Sequence, residues 1–474
     1  MKSIIIFFIF TSSLLATEFP HPVSPMFNMK VIYDSSTLDV QVIEDWHLVK
    51  GPTPTRQKLI NIRVGEFWPG QDYRVPLRLI VPAKTKAKGF HLTGGNNLKK
   101  LNQDLRVRGL DEELIQQGVG LAMTIVQEFG TWGQKKLGDE SKKRFAKTLN
   151  PKYSIQYWAW PASLMRCVTA AYAEENYFEK GKVLLSGGSK NGASPSVSII
   201  HDPRVTGLHA TVSPICESPL RLCDDKAWSD LKNYYSKKSG DSRHRFLGGT
   251  FGPIYNQTAL DQGNTWADLK KTANLVSPHI FISQNWKQLM ERGCELYFHP
   301  GTHDFVAFDM PSLGRHYPHI PTYNRINSGH GKKPNGAKVE KQDATKQAFI
   351  LQHFSSAKNQ MLRPPKITYE VLAASIKVTI TFEQNQKAES GRLYWKYDRA
   401  PEGTIQYIKE DFPAENYKEM KMGSDGKSFF TEIPLQSESQ FIDFYSNHRK
   451  TVSVYGKMLP SHISSPYTRV KLKN

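Results

Sequence analysis

Residues 180–200 read KGKVLLSGGSKNGASPSVSII. The first half, KVLLSGG, is a short apolar run with a glycine stop, as in a strand buried on both faces. The second half, NGASPSVSII, begins a helix. Between them sits Ser189, flanked by glycine at 187 and 188 and by Asn191 and Gly192. A serine at a sharp strand-to-helix turn presents its hydroxyl at the carboxyl edge of a sheet. The crowding there demands small neighbours.

The rhythm on either side of this stretch agrees with that placement. GFHLTGG, GVGLAMTIVQEF, KVLLSGG and VTGLHATVSPI read as buried strands, separated by the helical patterns DEELIQQG and PASLMRCVTAAYAEENYF. Such alternation requires crossover connections, hence a mostly parallel sheet with helices on both faces. Upstream, LDVQVIEDWHLV, LINIRVGEFW and RVPLRLIVP, with PGQD as a turn, read as an antiparallel entry to that sheet. Residues 218–285 interrupt the pattern and are expected to form a helical cap. CELYFHPGTHDF and PTYNRINSGHG resume as strands, and DATKQAFILQHFSS closes with a helix. MLRPPK marks a boundary. After it, ITYEVLAASIKVTITFE, GRLYWKYDRA, SFFTEIPL, SQFIDFYSNH and TVSVYGKML read as short strands of a small β-sandwich. The expected organisation is a leader at 1–16, an α/β domain at 17–362 and an all-β, sandwich-like domain at 363–474.

The leader, MKSIIIFFIFTSSLLATEFP, has one lysine, a short apolar run and small residues up to Ala16. It reads as a secretory signal, and its apolar run falls short of the ~20 residues a spanning helix needs. A secreted or periplasmic location is expected, with no transmembrane span. In that setting the even number of cysteines, Cys167, Cys216, Cys223 and Cys294, permits disulfides; Cys216 and Cys223 could close a small loop. No Cys/His spacing resembles a zinc site, and no metal or other cofactor is expected. Lys plus Arg is 63 against 44 for Asp plus Glu, a formal charge of +19. The charge lies in short scattered clusters, without a basic helix or aromatic RNA-binding motif, so no nucleic-acid partner is expected. A solvated basic surface and an acidic polysaccharide partner both remain open.

Serine becomes a nucleophile only when a base takes its proton. Downstream of Ser189, HPGTHDF places Asp304 beyond a strand end and INSGHG places His330 beyond the next. The order Ser, acid, His is that of the α/β-hydrolase fold. The two backbone donors for an oxyanion are expected from Lys190, after the serine, and from the loop HLTGGNN, through Gly94, Gly95 and Asn96. Trp158, Trp160, Trp228 and Trp266 are either pocket lining or core. The strict G-x-S-x-G spacing would place glycine at 191, where this chain has asparagine. Neither a Walker loop nor a G-x-G-x-x-G is present.

GGSKNGA, HPGTHDF and INSGHGKK together resemble the G-x-S-K-x-G, G-T-N-D and N-A-G-H-G segments of the PhoPQ-activated pathogenicity-related proteins, a branch of the α/β-hydrolases; His303 and Ser328 depart from that pattern. The resemblance runs in order over roughly residues 40–460. It implies Ser189, Asp304 and His330 as a triad and leaves the substrate undefined. GGSKNG is also similar to the G-C-S-R-N-G elbow of glucuronoyl esterases. That likeness implies that Lys190 adds charge at the oxyanion and that Glu217 stands where the acid can lie. The expectation is a serine hydrolase, an esterase on a carbohydrate or small-molecule ester, with a peptidase or a silent binding protein of the same fold as alternatives.

Overall fold

The structure is a computed structural model that describes residues 26–126, 134–236, 257–330, 343–356, 360–402 and 404–473. The expected leader lies outside the described residues. No helix among those described is long and apolar enough to cross a membrane.

Eight strands form the central sheet: β1 (Gln41–Val49), β2 (Thr55–Trp68), β3 (Gln71–Pro82), β4 (Ala87–Thr93), β5 (Gly120–Thr124), β6 (Phe178–Gly188), β7 (Gly207–Thr211) and β8 (Glu295–His299). Their order is β1-β2-β3-β5-β4-β6-β7-β8. β1, β2, β3 and β5 pair antiparallel, whereas β5, β4, β6, β7 and β8 pair parallel. From β4 the chain moves outward to β5, then returns past β4 to β6. The direction of winding thus reverses between β4 and β6. The loops leaving those two strands diverge and open a crevice at their carboxyl ends, where open α/β sheets bind ligands.

Alternation along the strands divides the core by face. Leu92, Leu185, Leu208 and Phe298 pack with Met165 and Val168 of the helix Trp160–Ala173 and with Val197 and Ile200 of the helix Lys190–His201. On the other face, Leu121, Leu184 and Tyr297 pack with Leu114 of the helix Leu110–Gln116 and with Phe349 and Ile350 of the helix Thr345–Phe354. That second core runs without a break into Ile376, Leu393, Phe444 and Ile463 of the C-terminal strands. The C-terminal strands make two antiparallel sheets: β13 (Lys421–Met422), β14 (Ser428–Pro434), β10 (Ser375–Thr381) and β9 (Lys366–Val371) in one; β12 (Tyr417–Glu419), β11 (Ser390–Tyr397), β15 (Phe441–Val454) and β16 (Lys457–Ser464) in the other, with β17 (Thr468–Lys471) on β15. The protein is therefore of the α/β-hydrolase fold class with an added all-β region.

Several local expectations need correction. PTYNRINSGHG forms no ninth strand; two isolated bridges, Phe298 to Thr322 and Gly301 to Arg325, hold it beside the end of β8. Pro321, at its start, has no N–H to give a ladder. SQFIDFYSNH and TVSVYGKML are one long strand and the start of the next. The hairpin turns at Tyr455 and Gly456, both with positive φ (49° and 75°), as a tight primed turn requires. The helix Lys135–Thr148 was not expected; lysines and Gly138 dilute its apolar periodicity. None of the four cysteines forms a disulfide, and all are buried. Trp158, Trp160 and Trp228 are core residues, and Trp266 is half-buried against the core.

Between β7 and β8 the described helices are Asp225–Ser236, Gln257–Asp261, Trp266–Ile280 and Ile282–Glu291. The third starts with a capping box between Thr265 and Asp268 and lies along the helix that follows β6, where His201 Nε2 contacts the His279 carbonyl at 3.0 Å.

A row of buried histidines crosses the second face of the sheet. His91 contacts Ser186 Oγ at 2.8 Å, and the His209 and His299 rings meet edge to face at 4.6 Å. Burial pushes His91 and His299 down to about 3 and His209 further below its ordinary value; His448, in β15, is also held at about 3 and His201 at about 4. Each stays neutral in the fold and protonates in the unfolded chain below about pH 6.5. A depressed folded pKa gives stability that is complete above the unfolded pKa and lost as pH falls. Two buried carboxyls, Asp309 and Asp443, are pushed up to about 6 by burial and act in the opposite sense between roughly pH 4 and 6. The histidines outnumber the carboxyls, so the fold loses stability on balance as pH falls below about 6.5. The melting temperature should fall steeply from pH 6.5 to 4.5 in calorimetry; a flat profile would show that these histidines are protonated in the fold.

Candidate active site

Ser189 ends β6 and begins the helix Lys190–His201, with φ 57° and ψ −131°. This backbone region is costly for a residue with a side chain and persists only where its surroundings impose it. Here the imposition is visible. A Cβ at Gly187 would stand 1.9 Å from the Asn191 carbonyl oxygen, and one at Gly192 would stand 2.1 Å from Ser213 Oγ. The glycine that the elbow needs after the serine is therefore 192, not 191. Ser189 N–H donates to Thr211 O at 2.8 Å, and Ser213 Oγ donates to Ser189 O at 2.8 Å, so β7 and its loop hold the turn. A serine at this helix position ordinarily caps the first turn with its hydroxyl. Ser189 does not, and its Oγ makes no hydrogen bond with a described residue.

Asp304 and His330 are brought together. His330 Nδ1 is hydrogen-bonded to Asp304 Oδ2, and the same oxygen accepts the His330 backbone N–H at 3.0 Å. Asp304 Oδ1 accepts Val306 N–H at 3.2 Å and caps the turn Phe305–Phe308. The Asp304 side chain is 1% exposed and that of His330 37%. A buried carboxylate thus holds Nδ1 of a ring whose other edge faces outward, and fixes which nitrogen can take a proton, namely Nε2. The Ser189 hydroxyl is not hydrogen-bonded to this pair. The elbow follows β6 and Asp304 follows β8, two strand spacings away, or roughly 10 Å.

The alternative acid is engaged elsewhere. Glu217 Oε1 accepts Tyr317 OH at 2.7 Å, and Oε2 accepts Ser283 Oγ at 2.8 Å.

The loop after β4 lies against the elbow: a Cβ at Gly95 would stand 3.1 Å from Asn191 Nδ2. Gly95 bridges to Ile125 through Asn96 N–H to Thr124 O (3.4 Å) and Val126 N–H to Gly94 O (3.1 Å). The Gly95 N–H takes no part in that bridge. The Asn96 side chain is tied to Thr93 and Thr124, each at 3.1 Å, and fixes the loop. Lys190 opens the helix in its first turn, where backbone N–H groups point beyond the helix end. Its ammonium lies 5.8 Å from the centre of the Trp160 ring.

Sequence reasoning missed the part the C-terminal region plays here. Arg399, fully buried, donates from Nη2 to Thr302 O (2.9 Å), from Nη1 to Tyr467 OH (2.7 Å) and from Nε to Tyr407 O (2.8 Å). Asn327 N–H donates to Thr302 Oγ1 at 2.7 Å. The Asn327 side chain reads Phe412 as a backbone partner, Nδ2 to O at 2.8 Å and N–H to Oδ1 at 2.9 Å. His303 Nε2 pairs with Asp411 Oδ1 at 2.6 Å. A Cβ at Gly329 would stand 2.3 Å from His303 O, so the acid loop and the histidine loop interlock directly. The N-S-G-H spacing was legible in the sequence; the distant residues that grip it, Arg399 and Phe412, carry no local signal. Asn327→Ala leaves both Phe412 backbone groups unpaired and sets alanine at φ 47°. It should cost about 2–4 kcal/mol in denaturant unfolding. A loss below about 0.5 kcal/mol would mean that the clamp is not formed.

Among the described residues, Glu44, His47 and Asp104 bring possible metal ligands within 4.8 Å of one another. Arg78 already occupies their charge, with Nη2 at 2.7 Å from Glu44 and Nη1 at 4.0 Å from Asp104. The group is an ion-pair network rather than a metal centre.

No protein family profile matches the sequence, and no curated protein matches it. Solved structures similar to this chain include a CE15 glucuronoyl esterase from Teredinibacter turnerae T7901, at 13% identity and TM-score 0.33 over 56% of this chain and 61% of that one. Acetyl xylan esterase 1 from Thermoanaerobacterium sp. JW/SL YS485 is 14% identical, with TM-score 0.36 over 66% of this chain and 88% of its own. Candida antarctica lipase A is 12% identical, with TM-score 0.31 over 61% and 77%. This chain thus spans less than two thirds of the Teredinibacter enzyme.

Proposed function

We propose that the protein is a serine hydrolase that transfers an acyl group to water, with Ser189 as nucleophile, His330 as general base and Asp304 as its orienting acid. The reading is carried by one observation: a serine held at φ 57° on the turn after β6, on the same sheet edge as a histidine whose Nδ1 is gripped by a buried carboxylate. In the reaction, His330 Nε2 takes the Ser189 proton as Oγ attacks the ester carbonyl. Asp304 stabilises the imidazolium so formed, and the proton then passes to the leaving alcohol. The oxyanion is received by the Lys190 and Gly95 N–H groups. Water repeats the sequence on the acyl-enzyme.

His330 must close on Ser189 for the first step; such hydrogen bonds commonly tighten only around substrate. The histidine lies on an interlocked loop, so the adjustment is one of its side chain.

Within this reading the chain is a member of the PhoPQ-activated group, exported to the periplasm or beyond, and its substrate is a carbohydrate or small-molecule ester. Saccharide esters of the kinds named for the two bacterial enzymes above are the first to test. The experiment sets 4-nitrophenyl acetate and acetylated xylan against aminoacyl-4-nitroanilides. Ester turnover with no anilide turnover is expected, whereas anilide cleavage of comparable efficiency would make the protein a peptidase.

A further inference from the structure

Beside the elbow, on the sheet face that carries the histidine row, lies an open cavity of about 450 Å³. One wall borders the site without including Ser189: Gly95 and Asn96 of the loop after β4, and Gly187, Gly188 and Asn191 on either side of the serine. The opposite wall is charged. Lys100 lies in the short helix Leu98–Leu101, Arg108 precedes the helix Leu110–Gln116, and Lys346 sits in the first turn of Thr345–Phe354. Asp111 is the one carboxylate in the lining. Two stretches far apart in sequence, residues 100–108 and the helix Thr345–Phe354, thus deliver three cations against one anion.

None of the three cationic side chains forms an ion pair or a hydrogen bond with a described residue. The placement of Lys346 is itself unfavourable: a cation in the first turn of a ten-residue helix opposes the helix dipole, whose amino end favours negative charge. Burial depresses the Lys346 ammonium, and Asp111 acts against that depression. Like charges gathered around a cleft repel one another, and an anion entering the cleft relieves that repulsion.

We infer that this cleft receives an anionic substituent of the substrate, so that the ester acted on is part of a saccharide bearing carboxylate or sulfate groups. The inference rests on the hydrolase reading for the ester and on the cleft alone for the charge. The anion lies toward Lys100, Arg108 and Lys346 while the ester carbonyl lies at the elbow, and the two subsites share the wall made by Gly95 and Asn191. Screening by salt should weaken the preference, because Lys100 and Arg108 are exposed.

Equilibrium binding needs no turnover and separates the two readings. Trigalacturonate, a sulfated trisaccharide and maltotriose are titrated into the full chain by calorimetry at low salt. At least one anionic trisaccharide should bind about tenfold more tightly than maltotriose, at about fivefold or less per cation. The double variant Arg108→Ala/Lys346→Ala should abolish that difference, and Arg108→Lys/Lys346→Arg should retain it. Which anionic sugar binds identifies the group recognised. Equal affinity for all three, or a preference that survives the alanine pair, overturns the inference. An anionic preference in a protein that cleaves no ester overturns the hydrolase reading instead.

Discussion

Ser189→Ala is expected to lower kcat/KM for 4-nitrophenyl acetate by about 10⁵–10⁶, without changing the melting temperature. The size follows from what remains. Without a nucleophile, the histidine–aspartate pair has nothing to activate in the acyl-transfer step. Only the oxyanion donors and substrate binding are left, and these give roughly 10³–10⁴ over the uncatalysed rate. The fold should be indifferent, because the Ser189 hydroxyl contributes no hydrogen bond with a described residue to it. What the turn requires is the Ser189 backbone, held by Thr211 and Ser213, and alanine keeps that. A variant with more than about a tenth of the wild-type activity would place the nucleophile elsewhere.

The second large effect is at Asp304. Asp304→Asn should cost about 10⁴ in kcat. Asparagine fits the buried space and can still accept Val306 N–H, although the His330 backbone N–H loses the acceptor that Oδ2 provided. Its amide nitrogen then faces His330 Nδ1, which must accept instead of donate. The ring is driven to the tautomer whose Nε2 already carries a proton and cannot take one from serine. Glu217→Gln is the control, since its carboxylate is shared between Tyr317 and Ser283. It should change kcat by less than about tenfold. The reverse order of effects would make Glu217 the acid.

Much of this was readable in the chain because it is written locally. The strand-turn-helix at Ser189 needs small residues within five positions, and SGGSKNG supplies them in order. Continuous apolar runs declared the parallel strands. Asp304 could be placed because it follows the end of β8; His330 was placed beyond an expected strand that does not form, and two isolated bridges beside β8 bring its loop to Asp304 instead. The chain departs from the strict glycine at 191 because the crowding atom is Ser213 Oγ, from a different strand loop, and it falls on residue 192. The ninth strand failed because residues with strand-like composition are tied by side chains instead: Asn327 to Phe412, and Asn324 N–H to Ser464 Oγ at 2.7 Å. Arg399 could not be foreseen, since its role is set by a carbonyl, Thr302 O, almost a hundred positions away. The cations of the cleft are equally hard to foresee, since Lys346 lies far along the chain from Lys100 and Arg108. In the sequence they belong to a basic background, and only the fold gathers them.

The central claim is that His330 serves Ser189. The most direct test is a crystal structure of the protein after reaction with a fluorophosphonate. The account predicts a phosphonyl group on Ser189 Oγ, with its oxygen at the Lys190 and Gly95 N–H groups and His330 Nε2 within about 3.2 Å of Oγ. An adduct on another residue, no adduct at all, or a modified Ser189 with His330 still out of reach would contradict it.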